Sequence, residues 1–140
     1  MANDSYQSEI LLLTHGGWGE TLMDKLTMII GRIIGVSEIA LNPSDTPEDF
    51  LQKVEQKIKK MPANSLIITD IAGGTTSNAA LKLSQKYKIH ILSGLSAIML
   101  IEAIIRQNRP FTDESIKEIN EAAIMNCQHL KVPAPDPDQV

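Results

Sequence analysis

The chain has 140 residues, of which 43% are hydrophobic and 21% charged, and its 13 Lys and Arg stand against 17 Asp and Glu. This length accommodates one buried core of ordinary size, and the composition is typical of a globular protein. The net charge of −4, with scattered basic residues, argues against a nucleic-acid binder. No apolar run reaches the roughly 18 residues of a membrane span, and no signal-peptide pattern opens the chain, so we expect a cytoplasmic protein without direct membrane insertion.

The first half of the chain predicts two strand–helix units. Residues 8–14 form an apolar run that ends at glycines, as buried parallel strands do. Apolar residues recur at helical spacing over about residues 19–35, which predicts the first helix. A short strand is expected over 38–41. Thr46 then provides an N-cap for a second helix that runs over about residues 47–60.

The second half repeats this alternation. Residues 65–71 predict a third strand, and a helix follows it to about residue 86. Residues 89–94 predict the fourth strand, and Ser96 caps a helix that extends through about residue 107. Four strands in alternation with helices predict an α/β fold, namely a doubly wound, mainly parallel four-stranded sheet with helices on both faces.

The C-terminal region predicts one further amphipathic helix and then a tail. The helix opens at Thr112, and we place the lone Cys127 on its apolar stripe. A single cysteine excludes an intrachain disulfide. The proline-rich segment after the helix is typical of a linker. We therefore expect one domain over residues 1–130 and a flexible tail over 131–140.

Two polar sequences follow apolar strands and suggest a common site. The first strand ends at Thr14-His15-Gly16-Gly17, and the third ends at Thr69-Asp70, which Gly73 and Gly74 follow. In open α/β sheets the functional groups gather at the carboxyl ends of the strands, and the first and third strands are often neighbours. We therefore expect His15 and Asp70 to lie within hydrogen-bonding distance.

The chemistry of these groups fits phosphoryl transfer. An aspartate that accepts a proton from one ring nitrogen fixes the tautomer of a histidine and leaves the other nitrogen as a nucleophile. The amides of Thr75, Thr76 and Ser77 would point from a helix N-terminus toward an anion. Neither a G-x-S-x-G elbow nor a P-loop is present in the sequence. We predict phosphoryl transfer to His15, with no metal and no cofactor.

Each of these residues also has an ordinary structural interpretation. Glycines after a strand can serve only the turn, and Asp70 can be a turn residue. His90 lies within the fourth strand and is expected to be an interior or edge residue, and His129 lies near the tail. Trp18 either packs on the end of the sheet or forms an exposed contact for a partner. The functional hypothesis therefore depends on His15 and Asp70 together.

Three motifs occur in order along the chain. They are T-H-G after the first strand, D-x-x-G-G-[ST]-x-x-N-A-A after the third, and G-x-x-x-x-M-L-x-E-A in the fourth strand–helix unit, and they begin at Thr14, Asp70 and Gly94 respectively. Together they resemble a known family, the enzyme IIA (EIIA) domain of the mannose-type sugar phosphotransferase system (PTS). The resemblance covers about residues 8–130.

The resemblance implies roles for the site residues. His15 would be phosphorylated by phospho-HPr and would pass the group to a histidine of the EIIB component, and Asp70 would orient it. The phosphoryl oxygens would be held by Gly73, Gly74 and Thr75, and we add Thr14 to this set. We also predict three residues that face the partner proteins: Trp18, Thr76 and Ser77. The family usually has Pro-Phe at the last two positions, so this rim is expected to differ here.

The resemblance further implies a homodimer. The family adds a swapped antiparallel edge strand from the C-terminal region, for which residues 129–132 are the candidate. The apolar excess on the first and fourth helices independently favours a dimer. Contact with the membrane subunits of a transporter is expected only through EIIB.

Two alternatives remain open from the sequence. The glycine-rich loop could hold a phosphorylated metabolite in a non-catalytic binding module, in which His15 only reads its charge. The chain could also be the phosphotransfer subunit of a dihydroxyacetone kinase, which shares the fold. Transfer of the phosphoryl group from His15 to an EIIB protein would distinguish the EIIA hypothesis from both.

Overall fold

The computed structural model describes residues 6–139 and contains, within them, the predicted alternation of strands and helices. The elements in chain order are β1 (Ile10–His15), α1 (Trp18–Ile30), β2 (Val36–Leu41), α2 (Pro47–Ile58), β3 (Ser65–Thr69), α3 (Gly74–Ser84), β4 (Ile89–Ser93), α4 (Ala97–Arg106), α5 (Asp113–Met125) and a short 3-10 helix (Pro137–Gln139). None of the helices in this part of the chain is both long and apolar enough to cross a bilayer.

The four strands form one parallel sheet in the order β2-β1-β3-β4. The two central strands are apolar because both of their faces are covered, and residues 10–13 of β1 and 66–68 of β3 are fully buried. The register pairs Leu13 with Thr69, so β1 and β3 end side by side. The predicted doubly wound α/β fold is confirmed.

Helices cover both faces of this sheet, and alternation along β1 divides the core into two layers. Ile10 and Leu12 pack in a cluster with residues of α1, α4 and α5, whereas Leu11 and Leu13 pack in a second cluster with residues of α2 and α3. Side chains at alternate positions of a strand point to opposite faces, so one apolar run serves both layers. This packing fixes β1, and with it the position of His15.

Side-chain caps begin α2 and α4 as the sequence predicts. The Thr46 hydroxyl accepts a hydrogen bond from the Asp49 amide at 3.0 Å, and the Ser96 hydroxyl accepts one from the Met99 amide at 3.2 Å. Each satisfies an amide that has no partner inside the helix.

Two predicted helix ends are wrong. The first helix ends at Ile30 rather than near residue 35, because Gly31 adopts φ 79° and ψ −151° and leaves the helical path. Cys127 lies beyond the end of α5 and is exposed, so it is not a helix residue on an apolar stripe. The helix stops at Met125, itself 72% exposed, because the core does not continue beneath that end.

Residues 127–136 carry no regular secondary structure in the single chain. Leu130 and Val132 within this segment are 81% and 92% exposed. The candidate edge strand over residues 129–132 therefore has no sheet partner among residues 6–139 of its own chain. The division into a domain over residues 1–130 and a tail stays a prediction.

Candidate functional site

The site lies at the carboxyl ends of the two central strands. His15 is the last residue of β1, and Asp70 directly follows β3. The carboxylate atom Asp70 Oδ2 accepts a hydrogen bond from the His15 amide at 2.6 Å and lies 2.8 Å from Nδ1 of the His15 ring. The fold thus brings together the two residues on which the functional hypothesis depends.

Asp70 is surrounded by hydrogen-bond donors. Its other oxygen, Oδ1, accepts from the Ile71 amide at 2.9 Å and from the Thr76 hydroxyl at 3.0 Å. Its side chain is only 4% exposed. Burial acts to raise the pKa of Asp70, but the hydrogen bonds from the His15 amide, the His15 ring and Thr76 outweigh it and hold the pKa below its ordinary value. Asp70 is therefore a carboxylate at neutral pH.

The aspartate determines which ring nitrogen of His15 carries the proton. An ionised carboxylate can only accept hydrogen bonds, so the neutral imidazole must donate from Nδ1. Nε2 then keeps its lone pair. The His15 side chain is 45% exposed, so a reactant can reach it. The arrangement presents Nε2 as an oriented nucleophile.

The N-terminus of α3 lies beside the imidazole. A Cβ atom placed on Gly74, the first residue of α3, would lie 4.0 Å from Cε1 of the His15 ring. Among the described residues, no side chain caps this helix, and its first turn has no acidic residue. The uncapped amides and the positive end of the helix dipole therefore remain available to an anion.

Gly74 and Thr75 lie near His15, and the role of Gly73, Gly74 and Thr75 in holding a phosphoryl group stays a prediction. Gly73 and Gly74 are exposed and Thr75 is half-buried. Thr75 and His15 line the same cleft, which is also lined by Leu41 at the end of β2 and by residues 42, 43 and 45 of the loop that follows. This cleft, with a volume of about 320 Å³, is large enough for a phosphoryl group beside His15.

Three of the predicted site residues have different positions from those expected. Thr14 is fully buried and its hydroxyl donates to Glu38 Oε2 at 2.6 Å, so it is not a phosphoryl ligand. Thr76 is fully buried and Ser77 is 5% exposed, so neither faces a partner. Both lie on the inward side of α3. Trp18 begins α1 and is 42% exposed, and its contact with a partner stays a prediction.

Glu38 is a structural residue of the site that sequence reasoning missed. Its two oxygens accept from the Thr14 hydroxyl and from the Glu20 amide at 3.2 Å, in the first turn of α1. The N-cap of α1 is Gly17, which has no side chain, so a residue of β2 provides the missing acceptor. An acidic residue within the mostly apolar strand β2 was the available signal.

The other histidines lie away from this site. His90 pairs in register with Leu66, near the start of β3, and its Nδ1 is 3.7 Å from the exposed carboxylate of Asp113. His129 is exposed, in the segment after α5. Of the three histidines, His15 alone lies at the carboxyl edge of the sheet.

The fold and the site together define a class of protein: a doubly wound α/β domain in which a strand-end histidine, oriented by a buried carboxylate, faces an uncapped helix N-terminus. A family model, EIIA-man, described as the PTS system fructose IIA component, matches residues 9–120. The chain therefore belongs to the mannose-family EIIA components of the sugar PTS. By family it is a phosphotransferase component that takes part in phosphoryl transfer during sugar uptake.

Known proteins agree with this assignment. The PTS system sorbose-specific EIIA component of Lacticaseibacillus casei is 26% identical over 113 residues, which cover 79% of this chain and 82% of that protein. The mannose/sorbose specific IIA subunit from Enterococcus faecalis has the same fold, with a TM-score of 0.82, 21% identity and coverage of 93% of this chain and 99% of that one. An EIIA component from Streptococcus agalactiae gives a TM-score of 0.79 at 24% identity, over 86% and 95% of the two chains.

Proposed function

We propose that the protein is a cytoplasmic phosphohistidine carrier that accepts a phosphoryl group from phospho-HPr on His15 and passes it to the EIIB component during sugar uptake and phosphorylation. The observation that carries the proposal is the hydrogen bond of 2.8 Å between His15 Nδ1 and the buried carboxylate of Asp70. This contact leaves Nε2 as the acceptor atom, in a family whose members transfer phosphoryl groups.

The proposed step is an in-line transfer. Nε2 of His15 forms a bond to phosphorus while the bond between phosphorus and the donor breaks, and the donor keeps the electron pair of that bond. The His15 ring gains positive charge as the new bond forms, and Asp70 stabilises that charge through Nδ1–H. The amides at the start of α3 face the negative charge of the phosphoryl oxygens. Transfer to EIIB reverses these events at the same atom.

A His15→Ala variant tests the assignment directly. Incubated with labelled phospho-HPr, the parent protein should gain an acid-labile, base-stable label, and the variant should gain none because the acceptor atom is missing. His129→Ala is the matched control, since this histidine is exposed and lies outside the site, and it should label normally. Normal labelling of His15→Ala would contradict the proposal, and addition of an EIIB protein should discharge the labelled parent.

We also propose that the protein is a homodimer in which residues 129–132 pair with β4 of the partner copy. In the described chain β4 pairs only with β3, so one of its edges is open. Leu130 and Val132 are exposed in the single chain, as are Met28 and Ile29 at the end of α1, at 84% and 70%. Exposed strand edges and apolar patches of this kind are usually covered in an assembly.

Sedimentation equilibrium at micromolar concentration should give twice the chain mass of 15.4 kDa. Leu130→Pro should shift the species toward monomer, because proline removes an amide donor from the pairing strand. Leu130→Ala, which keeps that amide, should retain more of the dimer. A parent protein that sediments as a monomer at this concentration would refute the dimer.

A further inference from the structure

We propose that Thr76 is a positioning residue of the phosphoryl-transfer site, whose hydroxyl holds the Asp70 carboxylate in the orientation that presents Nε2 of His15 to the phosphoryl donor. The inference rests on the proposed function of His15, and it assigns to Thr76 a role opposite to the partner-facing one that its sequence position suggests.

Thr76 is buried beneath the surface, where its side chain contacts Asp70 rather than a partner protein. The residue is the third of α3 and is fully buried. Its Oγ1 lies 3.0 Å from Asp70 Oδ1. Because Asp70 is ionised and has no proton to give, the threonine hydroxyl must be the donor. A protein that docks on His15 cannot reach this hydroxyl, so its effect on transfer must pass through Asp70.

The four donors around Asp70 differ in kind. Two are backbone amides, those of His15 and Ile71, and a third is the His15 ring itself, which is the group to be positioned. Among the described side chains, Thr76 is thus the one that holds this carboxylate independently of the ring. A carboxylate has about four acceptor positions, and together the donors fill them. The loss of Thr76 would leave one position of a buried oxygen unsatisfied and the carboxylate freer to rotate.

Thr76 also connects the two halves of the site. It belongs to α3, whose N-terminus lies beside the His15 ring, and it contacts Asp70, the residue hydrogen-bonded to that ring. The neighbouring Ser77 hydroxyl instead contacts the end of β3, through Thr69 Oγ1 at 2.7 Å and the Ile71 carbonyl oxygen. Ser77 therefore fixes the helix to the strand, whereas Thr76 sets the distance between the helix and the His15–Asp70 pair.

Thr76→Val tests this role because it removes the hydroxyl and keeps the size and branching of the side chain. With labelled phospho-HPr as the donor, the maximal rate of phosphorylation should fall about tenfold, the effect of one lost hydrogen bond to a charged group, and the donor concentration at half-maximal rate should not change. Thr76→Ser restores a donor and should recover most of the rate. Thr27→Val is the control, since the Thr27 hydroxyl bonds to the Asp24 carbonyl on the exposed side of α1.

A second measurement tests the hydrogen bond between Thr76 and Asp70 without requiring phosphoryl transfer. The ¹³C resonance of the Asp70 carboxyl carbon should titrate at higher pH in Thr76→Val than in the parent, because a donor that stabilises the carboxylate has been removed, and Thr76→Ser should return it toward the parent value. Together with the rate loss, this result would support the proposal. An unchanged Asp70 titration, a normal maximal rate in Thr76→Val, or a defect confined to the half-saturating donor concentration would overturn it. A parent protein that takes no label would refute the function proposed for His15, while the titration would still test the Thr76 contact.

Discussion

Replacement of Asp70 by asparagine should slow the phosphorylation of His15 by up to about 10⁴-fold, the loss found when the aspartate that orients the histidine of a Ser-His-Asp triad is replaced by asparagine. An amide has one acceptor oxygen and one donor group, whereas Asp70 accepts four hydrogen bonds. An amide nitrogen directed at His15 would favour the tautomer with the proton on Nε2, and this ring cannot attack phosphorus. Single-turnover labelling from phospho-HPr measures the rate.

The tautomer itself can be observed. The ¹⁵N shifts of the His15 ring should indicate a proton on Nδ1 in the parent and a larger share of the Nε2–H form in Asp70→Asn. Asp24→Asn is the matched control, because Asp24 lies on α1 with its side chain 72% exposed, and it should change neither rate nor tautomer. An Asp70→Asn protein that is folded and labels at the parent rate would remove the aspartate from the mechanism.

The stability of Asp70→Asn shows whether its slower phosphorylation comes from the altered site or from unfolding of the protein. The pKa of Asp70 in the folded chain lies below its ordinary value of 3.8, so its contribution to stability is present above that value and is lost as the pH falls through the lower, folded pKa. Asp70→Asn should therefore be less stable than the parent at neutral pH, and its stability should change less as the pH falls into the acid range. Urea unfolding at neutral and acid pH measures both, and sets the conditions in which the labelled protein is fully folded.

The parts of this molecule that were predictable from sequence are those marked by clear hydrophobic patterns. The strands β1 and β3 are buried on both faces, and their continuous apolar runs alone predict such buried parallel strands. The glycines at residues 16–17 and 73–74, shortly after these runs, indicated that His15 and Asp70 lie at strand ends. The rule that the carboxyl ends of neighbouring parallel strands share one edge then brought the two together.

The errors come from residues whose side-chain direction depends on packing. Thr14 and Thr76 are adjacent to functional residues in sequence, but β1 alternates and α3 rotates, so both side chains turn into the protein. The roles predicted for them depended on sequence adjacency alone. Glu38 was missed because its two hydrogen bonds join β2 to β1 and α1: the acidic residue in β2 marked the position, but its partners depend on how these three elements pack.

A substitution at Gly73, in the loop before α3, is also expected to have a large effect on the rate of phosphorylation. Gly73 adopts φ 76° and ψ 171°, a backbone region that is essentially restricted to glycine. Gly73→Ala should cost about 1–3 kcal/mol of stability if the loop keeps this conformation. If the loop relaxes, the start of α3 moves away from His15 and takes Thr76 with it. A displacement near 1 Å at a reacting centre can cost about 10²-fold, so we expect phosphorylation to fall about 10- to 100-fold.

Gly31→Ala is the control that distinguishes the stability cost of backbone strain from a direct effect on phosphoryl transfer. Gly31 ends α1 with φ 79° and ψ −151°, so an alanine there suffers a similar backbone penalty, and at neither glycine would a new Cβ meet another atom within 4 Å. Both variants should lose similar stability in urea unfolding, but only Gly73→Ala should lose its rate of labelling from phospho-HPr. Equal rate losses in the two would mean that the loop affects transfer through global stability alone. A loss confined to Gly73→Ala would instead show that the transfer rate depends on where this backbone places the first turn of α3. That turn lies beside the His15 ring and, through Thr76, contacts the Asp70 carboxylate.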